Sequence, residues 1–349
     1  MEGKIKTAFA SYGMSGQVFH GPLLRVDSRF EVAAVLERSK NISRKLFPEA
    51  ALVRSFEELL ALPEVELVVV NTPDEYHYDM TRQALLAGKH VVVEKPATPL
   101  RSMAEDLFAL ARQKQLLLTV FQNRRLDGDF LTVRKILDHG YLGKLAEFES
   151  HYDRFRNWID SSSWKENEGE YSGVLYNLGS HMVDQVHCLF GKPLAVTAHL
   201  KILRPGGMAV DYYDIRLDYP DFSAILKSSY LVKEPGPRYS IHGTAGSFHK
   251  WGIDPQEELL KAGMLPEGDS WGADTAKHWG RMVYEEDGQN YDQYIRTQNG
   301  NYNLFYDNIY EVLRKGAEPM VKPEEVLNVL EILEACLESN RKRQTINLG

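Results

Sequence analysis

Short apolar runs alternate with amphipathic stretches along the first third of the chain. Lys4 to Ala10, Phe30 to Leu36, Val65 to Val70, Val91 to Val93 and Leu116 to Phe121 are dominated by valine, alanine, leucine and phenylalanine. Strands covered by helices on both faces read this way, as in a parallel sheet. Segments with helical spacing lie between them. One ends at Ala87, with Gly88 as a natural stop, and another covers Ser102 to Gln113. Strand, helix, strand with short joins is a crossover unit, and its repetition from 4 to 121 predicts a doubly wound α/β domain.

The pattern then changes. Asp129 to His139 reads as a helix stopped by Gly140, and Leu145 to Phe155 as a strand. Residues 156–172 are polar and irregular, which suits a loop over a cleft and a surface excursion equally. From Gly173 to Phe190, Val174, Leu178, Met182, Val186 and Leu189 recur at helical spacing, which predicts a core face. His181, Asp184 and Gln185 fall on another face. Strand-like segments follow at 194–204, 211–219, 222–231 and 237–250, and strands in series without helices predict an antiparallel sheet. Residues 251–300 show no clear period. Helices return from 299 to 314 and from Pro323-Glu324-Glu325, where proline and acids mark a first turn. The expected division is a doubly wound α/β domain over 1–122 and a domain of α+β type, with an open, mostly antiparallel sheet, over 123–349.

Composition narrows the function. The 349 residues carry a formal net charge of -8, which argues against nucleic-acid or anionic-membrane binding. No run approaches the ~18 apolar residues of a membrane span, and Met1-Glu2-Gly3-Lys4 leads straight into a strand without a signal-peptide core. Cys188 and Cys336 stand far apart with no CxxC pattern, so neither a zinc site nor a disulfide framework is expected. A reducing cytoplasm is the expected location.

Two stretches carry candidate chemistry. After the first strand comes Ser11-Tyr12-Gly13-Met14-Ser15-Gly16, a dinucleotide fingerprint with serine in place of the first glycine. A pyrophosphate would rest on the helix start that follows. Glu37 ends the second strand about twenty residues on, where an acid usually binds the adenosine ribose. Arg38, Ser39 and Lys40 follow and suit a 2′-phosphate, so NADP is favoured and NAD remains open. The second stretch is Val91-Val92-Val93-Glu94-Lys95-Pro96. It places a carboxylate and an ammonium at the carboxyl end of a buried strand, where open α/β sheets bind ligands.

Taken together with Asn71-Thr72-Pro73-Asp74-Glu75-Tyr76-His77, Phe121-Gln122-Asn123-Arg124-Arg125 and Gly179-Ser180-His181-Met182-Val183-Asp184-Gln185, these motifs resemble the Gfo/Idh/MocA oxidoreductases over nearly the whole chain. The branch most resembled contains NADP-dependent scyllo-inositol dehydrogenases. The resemblance implies a Rossmann domain followed by an open-sheet domain, a nicotinamide cofactor, and a homodimer or homotetramer formed through the sheet faces. The small-molecule substrate it implies is a polyol, sugar or inositol-like alcohol or ketone. Expected cofactor contacts are Gly13, Met14, Ser15, Gly16, Glu37, Arg38 and Ser39 near the first two strands. Thr72, Pro73, His77, Glu94, Lys95, Asn123 and Trp164 complete the set.

Oxidising a secondary alcohol needs a proton acceptor and a group that stabilises the oxygen. Lys95 suits polarisation, and an imidazole ordinarily titrates near neutrality, which suits His181 to proton exchange. The motif match makes His181 a functional residue, expected to meet Lys95 beside the cofactor. Many relatives carry aspartate four residues before this histidine. Asn177 stands there instead, and an amide orients a hydroxyl but does not take its proton. Two other readings stay open: a cofactor-binding regulator without turnover, and a glycosidase that oxidises its substrate transiently with tightly held NAD.

Overall fold

The computed structural model describes residues 3–160, 166 and 169–349. They form two compact units, each discontinuous in sequence. The first comprises Met1–Leu126, Pro255–Gly272 and Asn301–Leu327. The second comprises Asp127–Asp254, Ala273–Gly300 and Asn328–Gly349. A single boundary after residue 122 does not anticipate the two segments that return to the first unit.

The first unit is built on six parallel strands. In chain order its elements are β1 (Ile5–Phe9), α1 (Gly21–Val26), β2 (Phe30–Leu36), β3 (Ala51–Val53), α2 (Phe56–Leu60) and β4 (Leu67–Val70). After them come α3 (His77–Leu86), β5 (His90–Val93), α4 (Arg101–Lys114) and β6 (Leu118–Val120). The spatial order β3-β2-β1-β4-β5-β6 reverses between β1 and β4, the doubly wound arrangement. Val91, Val92 and Val93 are fully buried, as is every residue of β4. That double-sided burial is why these strands read as unbroken apolar runs. β3 and α2 are too short for the pattern to reveal. The crevice at the carboxyl ends of β1 and β4 is where such a sheet binds ligands.

Beyond residue 126 the chain enters the second unit with α5 (Gly128–Asp138), β7 (Leu145–His151) and α6 (Ser180–Phe190). β8 (Ala195–Lys201), β9 (Tyr212–Asp218), β10 (Ser223–Ser229), β11 (Tyr239–Gly243) and β12 (Gly246–Lys250) follow. The chain then returns to the first unit for α7 (Gln256–Lys261), adds β13 (Gly280–Glu286) and β14 (Gln289–Ile295) to the second, and returns again for α8 (Asn303–Lys315). α9 (Pro323–Lys342) and β15 (Ile346–Asn347) finish it. The nine-stranded sheet has the order β14-β13-β12-β11-β7-β10-β9-β8-β15 and is antiparallel except where β7 meets β10. The single strand expected over 237–250 is a hairpin. Glycines bound its turn because a Cβ on Gly243 would lie 2.2 Å from the Leu142 carbonyl oxygen. The unplaced stretch 251–300 holds α7 and the β13–β14 hairpin. Asp287 and Gly288 form the two-residue turn of that hairpin, both with positive φ.

Candidate functional site

Serine at the first-glycine position has a structural reason. The Ser11 hydroxyl donates to the Asn71 carbonyl oxygen at 2.9 Å, and the Ser11 amide donates to Asn71 Oδ1 at 3.1 Å. Asn71 Nδ2 donates back to the Ser11 carbonyl at 3.0 Å. These bonds tie the ends of β1 and β4 at the point where strand order reverses. Gly16 fits under them only without a side chain, since a Cβ would lie 2.9 Å from Asn71 Nδ2. Gly13 and Met14 are exposed, and Ser15 is half-buried. The helix after this turn opens with a π-type turn over Gly16–His20 before α1, a distortion that recurs at functional sites.

Glu94, at the end of β5, is joined to that turn. Its Oε1 accepts from the Ser15 hydroxyl and from His20 Nε2, the latter at 3.1 Å. The Lys95 amide donates to Oε2 at 3.2 Å. Burial alone would raise the carboxyl pKa. The donors His20 and Ser15, with the Lys95 charge, outweigh it and hold the value down to about 2. A carboxylate therefore stands beside Lys95 at neutral pH. The helical segment Asn301–Leu327 supports this corner, because the Tyr306 hydroxyl lies 2.7 Å from His20 Nδ1.

At the end of β2, Glu37 is 6% exposed and bonds to its own loop. It accepts from the amides of Ile42 and Ser43 at 2.9 and 2.8 Å and from the Ser43 hydroxyl at 2.5 Å. Burial opposes the charged form, but these donors and Arg54 lower the pKa overall. Arg54 clamps the same loop from β3's end, donating to the carbonyls of Glu37 and Lys40. Arg38, Ser39 and Lys40 are left exposed.

His77 is fully buried. Its ring nitrogens lie 2.8 Å from the Pro96 carbonyl oxygen and 2.9 Å from that of Thr72, so it holds the loops after β4 and β5 together. Pro73 is exposed beside it, and Asn123 is buried in the turn after β6. Arg124, in the same turn, pairs with Glu257 of α7 at 2.5 Å.

In the second unit, a π-type turn over Leu175–Gly179 precedes α6. Asn177 is its half-buried member amid buried neighbours, and His181, one turn on, is 5% exposed. Of the expected core face, Val174, Met182 and Val186 are at most 1% exposed and Leu178 3%, whereas Leu189 is half-buried. Gln185 belongs to the core as well, accepting from Arg238 Nη2 at 3.1 Å and the Tyr239 hydroxyl at 2.9 Å. Sequence reasoning missed Arg204. Buried, it bonds Asp211 at 2.9 Å, Glu166 at 2.6 Å and the Trp158 carbonyl at 2.7 Å. It thereby anchors the irregular stretch that follows β7. Trp164 lies outside the described residues.

Two buried polar atoms at the strand ends of the first unit, Thr72 Oγ1 and Gln122 Oε1, have no hydrogen-bond partner. Native proteins rarely leave such atoms unmatched. They follow β4 and β6, the half of the sheet away from Glu37, and they fit a ligand that presents hydroxyl or amide groups there. A Cβ on Gly13 would meet only Ser11 Oγ, at 3.9 Å, so the outer side of the turn is open to a phosphate. The residues present therefore fit a dinucleotide. Among the described residues, no cluster of His, Cys, Asp or Glu is arranged to hold a metal ion, and no helix is long and apolar enough to cross a membrane.

The comparisons with known proteins agree with this geometry. Residues 5–122 match the model of an oxidoreductase family with an NAD-binding Rossmann fold, and residues 134–348 match that family's C-terminal alpha/beta domain. The chain is 42% identical over 344 residues to the scyllo-inositol 2-dehydrogenase (NADP(+)) IolW of Bacillus subtilis, covering 99% of this chain and 96% of that one. Among solved structures, the Bacillus subtilis protein yvaA superimposes with a TM-score of 0.97 at 41% identity, covering 99% of both chains. A Bacteroides fragilis structure does so at 0.91 and 46%, covering 99% of this chain and all of the other. The strand-end carboxylate and lysine, the glycine turn bound to Asn71 and these full-length matches lead to one conclusion: the chain belongs to the Gfo/Idh/MocA family and is an oxidoreductase.

Proposed function

We propose that the protein is an NADP-dependent oxidoreductase that interconverts a secondary alcohol and ketone on a polyol, sugar or inositol-like substrate. The observation that carries this reading is the ionised Glu94, bonded to Ser15 of the glycine turn and adjacent to Lys95 at the carboxyl end of β5. The similarity to a scyllo-inositol 2-dehydrogenase supports the substrate class.

A bound nicotinamide supplies the hydride acceptor or donor. Lys95 polarises the substrate oxygen as charge develops there. His181 takes or returns the hydroxyl proton, and its position one turn from Asn177 on α6 lets the amide orient a neighbouring hydroxyl. Ser15 and the open side of Gly13 receive the pyrophosphate at the start of the helix. NADP is favoured over NAD because Glu37 is committed to its own loop, whereas Arg38, Ser39 and Lys40 remain available to a 2′-phosphate. A negative Glu37 facing the ribose would repel that phosphate.

The test is a screen of inositols, polyols and sugars with NADP and NAD, read by the near-ultraviolet absorbance of the reduced ring. Turnover with NADP on at least one such alcohol is expected. Tight cofactor binding without turnover on any of them would favour a regulatory role. Cofactor that copurifies and is never consumed during substrate cleavage would favour a glycosidase.

A further inference from the structure

A chain of polar groups runs through the core of the first unit and ends at Glu94. Tyr306 of α8 is 1% exposed and His20 is fully buried. The Tyr306 hydroxyl meets His20 Nδ1 at 2.7 Å, and His20 Nε2 meets Glu94 Oε1 at 3.1 Å. An ionised carboxylate only accepts, so Nε2 carries the proton of that bond in either charge state of the ring. Aromatic rings fix the geometry. Phe121 lies 4.3 Å from the His20 ring centroid, and Phe30 lies 5.4 Å from that of Tyr306. Of the three side chains only Glu94 keeps some exposure, 14%, at the carboxyl end of β5.

Apolar side chains of similar size would fill this space among the same rings without desolvating a hydroxyl and an imidazole. A hydrogen-bonded pair is expensive to desolvate unless it holds something. What it holds is a carboxylate on the half of the sheet beyond the β1–β4 reversal. The adenosine end of a dinucleotide lies over β2, so its other end falls on this half.

We propose that Tyr306 and His20 are positioning residues that fix the Glu94 charge beside the nicotinamide, so that the site prefers the positively charged oxidised ring to the neutral reduced one. The proposal rests on the nicotinamide-binding reading above. It assigns a role to α8, which returns to this unit from far along the sequence.

The test measures dissociation constants of the full-length protein for NADP+ and NADPH by calorimetry, with thermal denaturation as a check on folding. Removing a unit charge a few ångströms from the ring at a partly solvated site shifts the preference by about tenfold. Glu94→Gln is therefore expected to weaken NADP+ relative to NADPH by about that factor. His20→Leu and Tyr306→Phe are expected to shift the ratio in the same direction by roughly threefold, since they misplace the charge rather than delete it. His20→Gln keeps an N–H donor near the Nε2 position and is expected to restore most of the ratio. In a Glu94→Gln background, His20→Leu is expected to add nothing. Tyr306→Phe removes one oxygen atom and carries the test should His20→Leu fail to fold. A ratio unchanged in Tyr306→Phe and His20→Leu alike, with Glu94→Gln shifting it, would overturn the relay and leave the cofactor reading standing. A His20 effect that persists without the Glu94 charge would also overturn it. A wild-type protein that binds neither form would overturn both.

Discussion

Replacing Glu37 by glutamine separates two roles for this side chain. The structure gives its carboxylate three donors: the amides of Ile42 and Ser43 and the Ser43 hydroxyl. Glutamine matches the volume but offers one acceptor oxygen, so at least one amide loses its partner and faces an NH2 group instead. Hydrogen bonds to a charged group contribute about 1.5–3 kcal/mol each, so a net loss of about 2–3 kcal/mol is expected. That corresponds to a fall of roughly 5–10 °C in the melting temperature of the first unit. The sign with pH follows from the lowered pKa. The group's contribution is complete above its ordinary value of 4.5 and is lost as pH falls through the lower folded value. The gap between wild type and Glu37→Gln should therefore be constant near neutrality and close on acidification. The assay is thermal denaturation across this range, together with calorimetric binding of NADP and NAD. Loosening the 38–43 loop should weaken NADP at least as much as NAD. Unchanged stability combined with a selective loss of NAD binding would refute the reasoning, because a ribose-binding carboxylate behaves that way.

Other expectations are equally direct. Lys95→Ala and His181→Ala should each lower turnover by on the order of 10² or more, with smaller effects on cofactor affinity, measured by steady-state kinetics and calorimetry. Arg204→Met should cost about 3–5 kcal/mol in chemical denaturation, because it strands Asp211 and Glu166 as buried charges. Gly173→Ala should be far more damaging than Gly140→Ala, although both have positive φ. A Cβ on Gly173 would lie 2.4 Å from the Val210 carbonyl oxygen, whereas one on Gly140 meets nothing within 4 Å. Gly140→Ala should cost only about 1 kcal/mol, from the backbone alone.

Much of the first unit was legible because its strands are buried on both faces. The runs at β1, β2, β4, β5 and β6 carry their own signal, and Gly88 marks the end of the α3 turn. The core face of α6 was legible for the same kind of reason, since Val174, Met182 and Val186 keep helical spacing. Asp287-Gly288 is a two-residue hairpin signal in the sequence, obscured because β14 after it is exposed along nearly its whole length and lacks apolar alternation. The bonds of Glu37 to Ile42 and Ser43 were not legible, because an acid after the second strand has two possible partners, a ribose and the chain's own amides, and sequence does not choose between them.

The sequence by itself determined the doubly wound sheet, the glycine turn and the placement of Glu94 and Lys95 at a strand end. All three follow from local patterns, which short-range sterics and burial on two faces impose on neighbouring residues. Only the tertiary structure decided that Ser11 bonds Asn71, that Glu37 turns inward, and that His20 is braced by Tyr306. Those contacts join residues that no periodicity relates. The first two form where strand ends and loops of the first unit close on one another, and the third exists because the chain leaves that unit, builds a second sheet and returns with Tyr306, a return set by the packing of whole surfaces.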